Sequence, residues 1–322
     1  MSILSAGDFT DLYHEVQRKG ALHIFRKLIS TPNRRIVQEW ESIDRSSSDW
    51  WTIAMVRRRW NKIISGSEET EYQEYVCNKY LSGRKNLRLL SVGSGGGTAE
   101  IKFAQQKCFS HVEGFDISHK IVSHALEKVR RNNLSSVHFF KADAVSHDFG
   151  NELYDVILFN RSLHHFFSAE KILSKSKTAL RKNGILILAE YAGPNRFQWK
   201  ENQLNLINDL LKEIPPQYRK WQTGNSLKTK VFRPGILRMY LNDPSESARS
   251  QEIPQLVKKY FAVVEEKKLG GNLLHPLLKD IAHNFRESDS EANALLEKLF
   301  VKEDEFLKTN DSDFLFGIYK KK

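Results

Sequence analysis

Leu87-Arg88-Leu89-Leu90-Ser91-Val92-Gly93-Ser94-Gly95-Gly96-Gly97 is an apolar run that breaks into glycines at alternate positions. It reads as a buried strand ending in a turn, because a strand covered on both faces carries a near-continuous hydrophobic sequence. Only glycine takes positive φ freely and lets the backbone approach a ligand without a Cβ in the way. Gly93, Gly95 and Gly97 together therefore predict a loop wrapped closely around a nucleotide-like group. Spacing narrows that group. The dinucleotide fingerprint G-x-G-x-x-G/A puts its last position on Thr98 when counted from Gly93, and on Glu100 when counted from Gly95, so neither frame closes. A triphosphate-binding loop needs a lysine and a hydroxyl residue after the glycines, and Gly97 is followed by Thr98-Ala99.

Outward from this turn the periodicity alternates between strand and helix. Further strands are read at His111-Val112-Glu113-Gly114-Phe115-Asp116, Val137-His138-Phe139-Phe140, Tyr154 to Phe159 and Gly184 to Ala189, with helices at Thr98 to Gln106, His119 to Asn132 and Ala169 to Arg181. A sixth strand at Tyr260 to Lys267, a helix at Leu273 to Leu307 and a seventh strand at Phe314 to Tyr319 complete the pattern. The expectation is an α/β fold with a doubly wound, seven-stranded, mostly parallel sheet. Residues 1 to about 85 read as helices at His14 to Leu28, Arg35 to Ile43, Trp50 to Ile64 and Glu71 to Leu81, with Ser46-Ser47-Ser48-Asp49 as a helix start. Pro215-Pro216, Pro234-Gly235 and Asn242-Asp243-Pro244 cut residues 194 to 250 into short helices and loops. The organisation expected is a helical cap at 1–85 and a sheet domain at 86–322, with an inserted lid at 191–255.

In open α/β sheets ligands lie beyond the carboxyl ends of the strands, near the point where strand order reverses. The groups at those ends, taken in order, resemble the class I S-adenosylmethionine-dependent methyltransferases over about a hundred residues, Leu87 to Ala189. The resemblance implies a Rossmann-like fold with the last two strands as a reversed hairpin, S-adenosyl-L-methionine as cofactor, and the following residue roles. Gly93, Ser94, Gly95 and Gly97 lie against the methionine part; Asp116, with Ile117 after it, accepts the ribose hydroxyls; Asp143 and Ala144 form the adenine turn. Asn160 opens the segment Asn160-Arg161-Ser162-Leu163-His164-His165-Phe166, similar to the "LHH" segment of small-molecule members. Ser91 departs from the family's pattern, which often carries an acidic residue two positions before the first glycine. A hydroxyl bonds the loop but supplies no charge to the cofactor's ammonium, so another acceptor must serve.

Methyl transfer from a sulfonium chiefly needs alignment and a dry site, and a base only where the acceptor must lose a proton. His164 and His165 are the candidate bases, since imidazole titrates near neutrality. Glu190 and Tyr191, at the end of the fifth strand, are candidates as base or acceptor-orienting groups. The stretch Glu190 to Trp199 reads as one wall of an acceptor pocket, with Trp50, Trp51, Arg59 and Trp60 near a second; for most of these tryptophans core packing is the favoured reading. Arg59 and Arg196 are the candidates for an anionic acceptor or the cofactor carboxylate.

Fifty Lys and Arg against 39 Asp and Glu leave a net charge of +11, which favours anionic partners. The charges are scattered, without an aromatic-interleaved basic ribbon, so nucleic acid is the weaker partner class. Cys77 and Cys108 show neither C-x-x-C nor Cys/His ligand spacing, and no metal site is expected. No 18 apolar residues run together and Met1 to Ser30 is charged throughout, so the expectation is a soluble, unexported, cytoplasmic protein without a membrane span. The leading reading is a methyltransferase acting on a small or medium-sized metabolite, with oxygen the favoured acceptor atom. An RNA methyltransferase and a cofactor-binding, non-catalytic scaffold are the alternatives, and a dehydrogenase is more distant.

Overall fold

The computed structural model describes residues 3–42, 49–224 and 226–322. Helices α1 (Ala6–Lys19), α2 (Ala21–Leu28), α3 (Pro32–Ser42), α4 (Ala54–Ser65) and α5 (Tyr72–Tyr80) precede the first strand. The alternation follows as β1 (Leu87–Val92), α6 (Thr98–Gln105), β2 (Phe109–Asp116), α7 (His119–Arg131), β3 (Val137–Lys141), β4 (Tyr154–Asn160), α8 (Ala169–Ala179) and β5 (Leu180–Tyr191). Then come α9 (Glu201–Glu213), α10 (Ile236–Asn242), α11 (Ile253–Tyr260), β6 (Phe261–Gly270), α12 (Leu274–Leu278), α13 (Ser290–Leu307) and β7 (Phe314–Lys321).

Two compact units divide the chain. One takes in residues 61–192, 248–267 and 315–322; the other collects 1–60, 193–247 and 268–314. The sequence pattern predicts a cap at 1–85 separate from a lid at 191–255. In the structure the first sixty residues cluster with 193–247 and with 268–314, and residues 61–85 cluster with the sheet.

The strands form one seven-stranded mixed sheet in the order β3-β2-β1-β4-β5-β7-β6. β1 pairs in parallel with β2 on one side, Leu89 opposite Val112, and with β4 on the other, Leu89 opposite Val156. Strand order therefore reverses between β1 and β4, and the segments leaving their carboxyl ends flank the switch point. Both strands are buried almost throughout, as their apolar sequences require. Leu90, Val92, Ile157, Phe159, Leu186 and Leu188 pack with Ile172 and Leu173 of α8 and Val257 of α11 in one core. This core makes the strand ends a rigid platform.

The structure corrects several local readings. The helix expected over His14 to Leu28 is interrupted at Gly20 (φ +83), which ends α1 and opens α2. The single helix expected over Leu273 to Leu307 is broken into α12, a 3₁₀ turn at Ala282–Asn284 and α13. Asp280 sits at φ +67, and Asp289 caps α13 by accepting from the Glu291 and Ala292 amides, each at 3.0 Å. Within the loosely patterned 194–250 stretch α9 is a regular 13-residue helix, burying Leu204, Ile207, Leu210 and Leu211 on one face. β5 begins at Leu180, four residues before the expected start. Ser46 to Ser48 lie outside the described residues; Asp49 precedes a 3₁₀ turn at Trp50–Thr52 without a side-chain cap. Cys77 of α5 and Cys108, just before β2, are both free, with their sulfurs 3.6 Å apart, a proximity that sequence spacing does not reveal.

Candidate functional site

The glycine turn joins β1 to α6, and its conformation is held from three sides. Gly93, Gly95 and Gly97 all have positive φ, between +53° and +72°. From α7, Lys128 donates to the Gly96 carbonyl at 2.7 Å and to Thr98 Oγ1 at 3.0 Å. From the end of β4, Ser162 Oγ donates to the Val92 carbonyl at 2.6 Å. From the end of β2, Asp116 Oδ2 accepts the Gly95 N–H at 3.1 Å.

Gly95 and Gly97 face different surroundings. A Cβ on Gly97 would lie 2.6 Å from Phe139 Cζ and 3.0 Å from Ala125 Cβ, so this glycine is required by packing. A Cβ on Gly95 would meet no atom of the described residues within 4 Å. Gly97→Ala is expected to destabilise the fold by about 2–4 kcal/mol, combining left-handed backbone strain with overpacking. Gly95→Ala should cost only about 1 kcal/mol, from backbone strain alone. Urea denaturation of both variants checks the contrast.

Asp116 is buried, and burial raises its carboxyl above the ordinary aspartate value, while the Ser118 and Gly95 amides oppose the shift. Oδ1 accepts from Ser118 N at 3.0 Å. The helix-capping role falls to Ser118, whose Oγ accepts from Ile121 N at 3.3 Å. Ile117 is half-buried beside it. Asp143 is exposed; its Oδ1 accepts from Val145 N at 2.8 Å and its carbonyl from Ser146 and His147, so it shapes the turn after β3. Ala144 is buried, and its carbonyl accepts from Lys175 Nζ at 2.9 Å.

Asn160, at the end of β4, pairs in register with Ala189 of β5. Arg161 follows at φ +55, and the chain enters a 3₁₀ turn at Leu163–His165. Glu190 of β5 organises this turn. Its buried carboxylate accepts the backbone N–H of Ser162 at 2.9 Å, of Leu163 at 2.7 Å and of Tyr191 at 2.8 Å, and it also accepts from His164 Nδ1. Donation to that carboxylate puts a hydrogen on Nδ1, so the neutral tautomer of this ring has its lone pair on Nε2. His165 packs on His164 with ring centroids 4.1 Å apart. Tyr191 is buried with its ring edge-on to His164, centroids 6.0 Å apart. Thus Ser91, the glycines, Asp116, Asn160, His164, His165, Glu190 and Tyr191 all belong to one unit and to the carboxyl ends of its strands.

Arg59 belongs to the other unit, where it pairs with Asp304 at 2.5 Å and lies over the Phe300 ring. Arg196, also expected to bind an anion, donates to the backbone carbonyls of Glu246 at 3.0 Å and of Pro244, and burial lowers its pKa. Its guanidinium organises its own loop. Trp50 is fully buried against Trp60, His275 and Phe314, which is core packing.

Sequence reasoning missed Glu100. Ser91 Oγ donates to Glu100 Oε1 at 2.5 Å, both side chains being 1% exposed. Burial pushes the Glu100 carboxyl up from 4.5 to about 7, opposed by the Ser91 bond. Its pKa is raised in the folded state, so between those values the folded chain binds more protons than the unfolded one. Stability then falls as pH rises from 4.5 towards about 7. Glu100→Gln should flatten that part of the apo enzyme's stability profile, measured by thermal melts across the range. The signal available in the sequence was a polar residue in the first turn of α6, nine positions after a serine where a charge was expected.

A family model described as a methyltransferase domain matches residues 84–278. The chain belongs to this family. A demethylmenaquinone methyltransferase of Bacteroides fragilis is 27% identical over 199 residues, covering 57% of this chain and 81% of the relative. A phosphoethanolamine N-methyltransferase of Plasmodium falciparum is 26% identical over 119 residues, 36% of this chain and 44% of that protein. Among solved structures, phosphoethanolamine N-methyltransferase 2 of Haemonchus contortus, in complex with S-adenosyl-L-methionine, superposes with a TM-score of 0.50 at 15% identity. It covers 83% of this chain and 57% of that one, a likeness of fold. The protein is an S-adenosylmethionine-dependent methyltransferase. No helix among the described residues is long and apolar enough to cross a membrane.

The residues present fit that cofactor. The turn leaves open space at Gly95, and the polar atoms Ser94 Oγ, Glu100 Oε2 and Tyr72 Oη are buried without a hydrogen-bond partner among the described residues. Such atoms are costly to leave unsatisfied, and they cluster in sequence around the glycine turn and the helix before it.

Proposed function

We propose that this methyltransferase acts on a small or medium-sized metabolite carrying an ionisable hydroxyl, with that oxygen as methyl acceptor and His164 as the base that takes its proton. The observation that carries the reading is the His164–Glu190 pair at the ends of β4 and β5, beside the turn that follows β1. The bound cofactor supplies an electrophilic methyl on a sulfonium. In this reading the glycine turn and Ser94 hold the methionine part, Asp116 accepts the ribose hydroxyls with the acceptor sites its two backbone donors leave, and Asp143 receives the adenine amine. Glu190 orients the imidazole and stabilises the imidazolium that forms, the part a buried carboxylate plays when it accepts from a catalytic histidine's Nδ1–H. The net charge of +11 favours an anionic acceptor.

Methylation of a carbon activated by a neighbouring hydroxyl is the second reading, favoured by relatives named as ubiquinone/menaquinone biosynthesis C-methyltransferases. It uses the same base, since removing the hydroxyl proton makes the carbon nucleophilic. Incubating the enzyme with ¹³C-methyl-labelled S-adenosylmethionine and a panel of hydroxylated anionic metabolites tests both. The expected product carries an O-methyl carbon signal by NMR; a C-methyl signal selects the second reading. Label found only in amines or in RNA would overturn both.

A further inference from the structure

We infer that Glu100 anchors the cationic amine of the bound methyl donor, supplying from α6 the negative charge that Ser91 does not supply from β1. Glu100 lies in the first turn of α6, directly after the glycine turn, where a helix terminus favours an anion. Its Oε1 is fixed by Ser91 at 2.5 Å, while Oε2 is buried with no hydrogen-bond partner among the described residues. A buried carboxylate with one oxygen engaged and one unmet calls for a proton or a cation. Lys128 reaches the same turn, but its ammonium bonds the Gly96 carbonyl and Thr98 Oγ1. Ser94 Oγ of the turn and Tyr72 Oη of α5 are also buried without a hydrogen-bond partner among the described residues, and the Arg161 guanidinium acts on the Tyr72 hydroxyl. Tyr72 stands with its ring 5.9 Å from that of Phe103, one helical turn beyond Glu100, and the Glu100 charge acts on its hydroxyl. The serine and the glutamate form one device: Ser91 Oγ orients the carboxylate, and the carboxylate carries the charge.

Calorimetry with three ligands tests this. S-adenosylmethionine and S-adenosylhomocysteine both carry the amine; methylthioadenosine keeps the nucleoside and lacks the amino-acid part. Glu100→Gln should weaken the first two about 10- to 100-fold, the loss expected for one charge-assisted bond, and leave methylthioadenosine unchanged. The double variant Ser91→Asp/Glu100→Ser, which moves the carboxylate to β1, should restore the binding of both amine-bearing ligands. Near neutral pH, binding to the native enzyme should release protons from Glu100, read as heats that vary with buffer ionisation enthalpy, and Glu100→Gln should lose that variation. Ser91, Lys128 and Asp116 act on this carboxyl, Tyr72 is coupled to it and Arg161 acts on Tyr72, and all of these groups are present in both proteins. Native affinity for S-adenosylmethionine in Glu100→Gln, or an equal loss for all three ligands, overturns the inference. If Glu100→Gln fails to fold, the double variant decides: a folded protein that binds methylthioadenosine but not the amine-bearing ligands also overturns it.

Discussion

His164→Asn lowers kcat by about 10²- to 10⁴-fold, the range for loss of a positioned general base, while S-adenosylmethionine affinity and melting temperature stay close to native. Asparagine keeps a nitrogen donor near the position of imidazole Nδ1, so the Glu190 carboxylate retains its fourth hydrogen bond. What disappears is Nε2, the nitrogen that carries the lone pair in the tautomer Glu190 imposes. The pH dependence should change with it. If His164 is the base, the native enzyme should lose kcat/KM on the acid side, and the variant's residual rate should lack that limb, rising only as the acceptor hydroxyl itself ionises. Steady-state kinetics across pH on the acceptor identified by product analysis make the comparison. A variant with native kcat would remove His164 from the chemistry.

Glu190→Ala acts on both stability and rate. Three backbone amides and the His164 ring donate to this carboxylate inside the sheet unit. Truncation leaves those donors buried, a loss of about 3–5 kcal/mol by analogy with breaking other buried charged networks. The 3₁₀ turn at Leu163–His165 then loses its anchor, and rate falls with stability. Glu190→Gln separates the two effects. Its amide oxygen still accepts, but its nitrogen only donates and faces N–H groups. A smaller stability loss, about 1–3 kcal/mol, is expected. The rate should fall about 10- to 100-fold, as when the partner of an oriented histidine is replaced. Urea denaturation and kinetics on the same preparations distinguish them, and equal effects of the two variants would mean that the carboxylate's charge is irrelevant.

The parts of the fold that were legible are those where burial dictates sequence. β1 and β4 lie inside the sheet, so their residues are apolar almost without interruption, and the glycines mark where β1 ends. Asp116 was legible because a carboxylate at the end of β2 follows from the same alternation. The break between α12 and α13 was not, because apolar residues recur across it; the stop depends on Asp280 at positive φ and on the Asp289 cap. The length of α9 was hidden for the opposite reason, since the prolines around it suggested only short helices and loops. Within the site, Glu190 was read as a catalytic candidate from its position at a strand end. Only the backbone geometry shows three amides converging on it. Glu100 was passed over because a lone acidic residue in a helix's first turn is usually a solvated capping group. Its burial and its bond to Ser91 are tertiary facts. The guanidiniums of Arg59 and Arg196 looked available to an anion, and their partners, Asp304 and the carbonyls of 244 and 246, lie far along the chain.

In the proposed arrangement the turn after β1 and the carboxylate at the end of β2 form one cofactor site. Titration calorimetry of S-adenosylhomocysteine into the native enzyme and into Asp116→Ala tests it most directly. A single saturable site in the native enzyme, weakened about 10- to 100-fold in the variant by loss of the ribose-binding carboxylate, is the predicted result. Failure of the native enzyme to bind, or undiminished binding by Asp116→Ala, would contradict it.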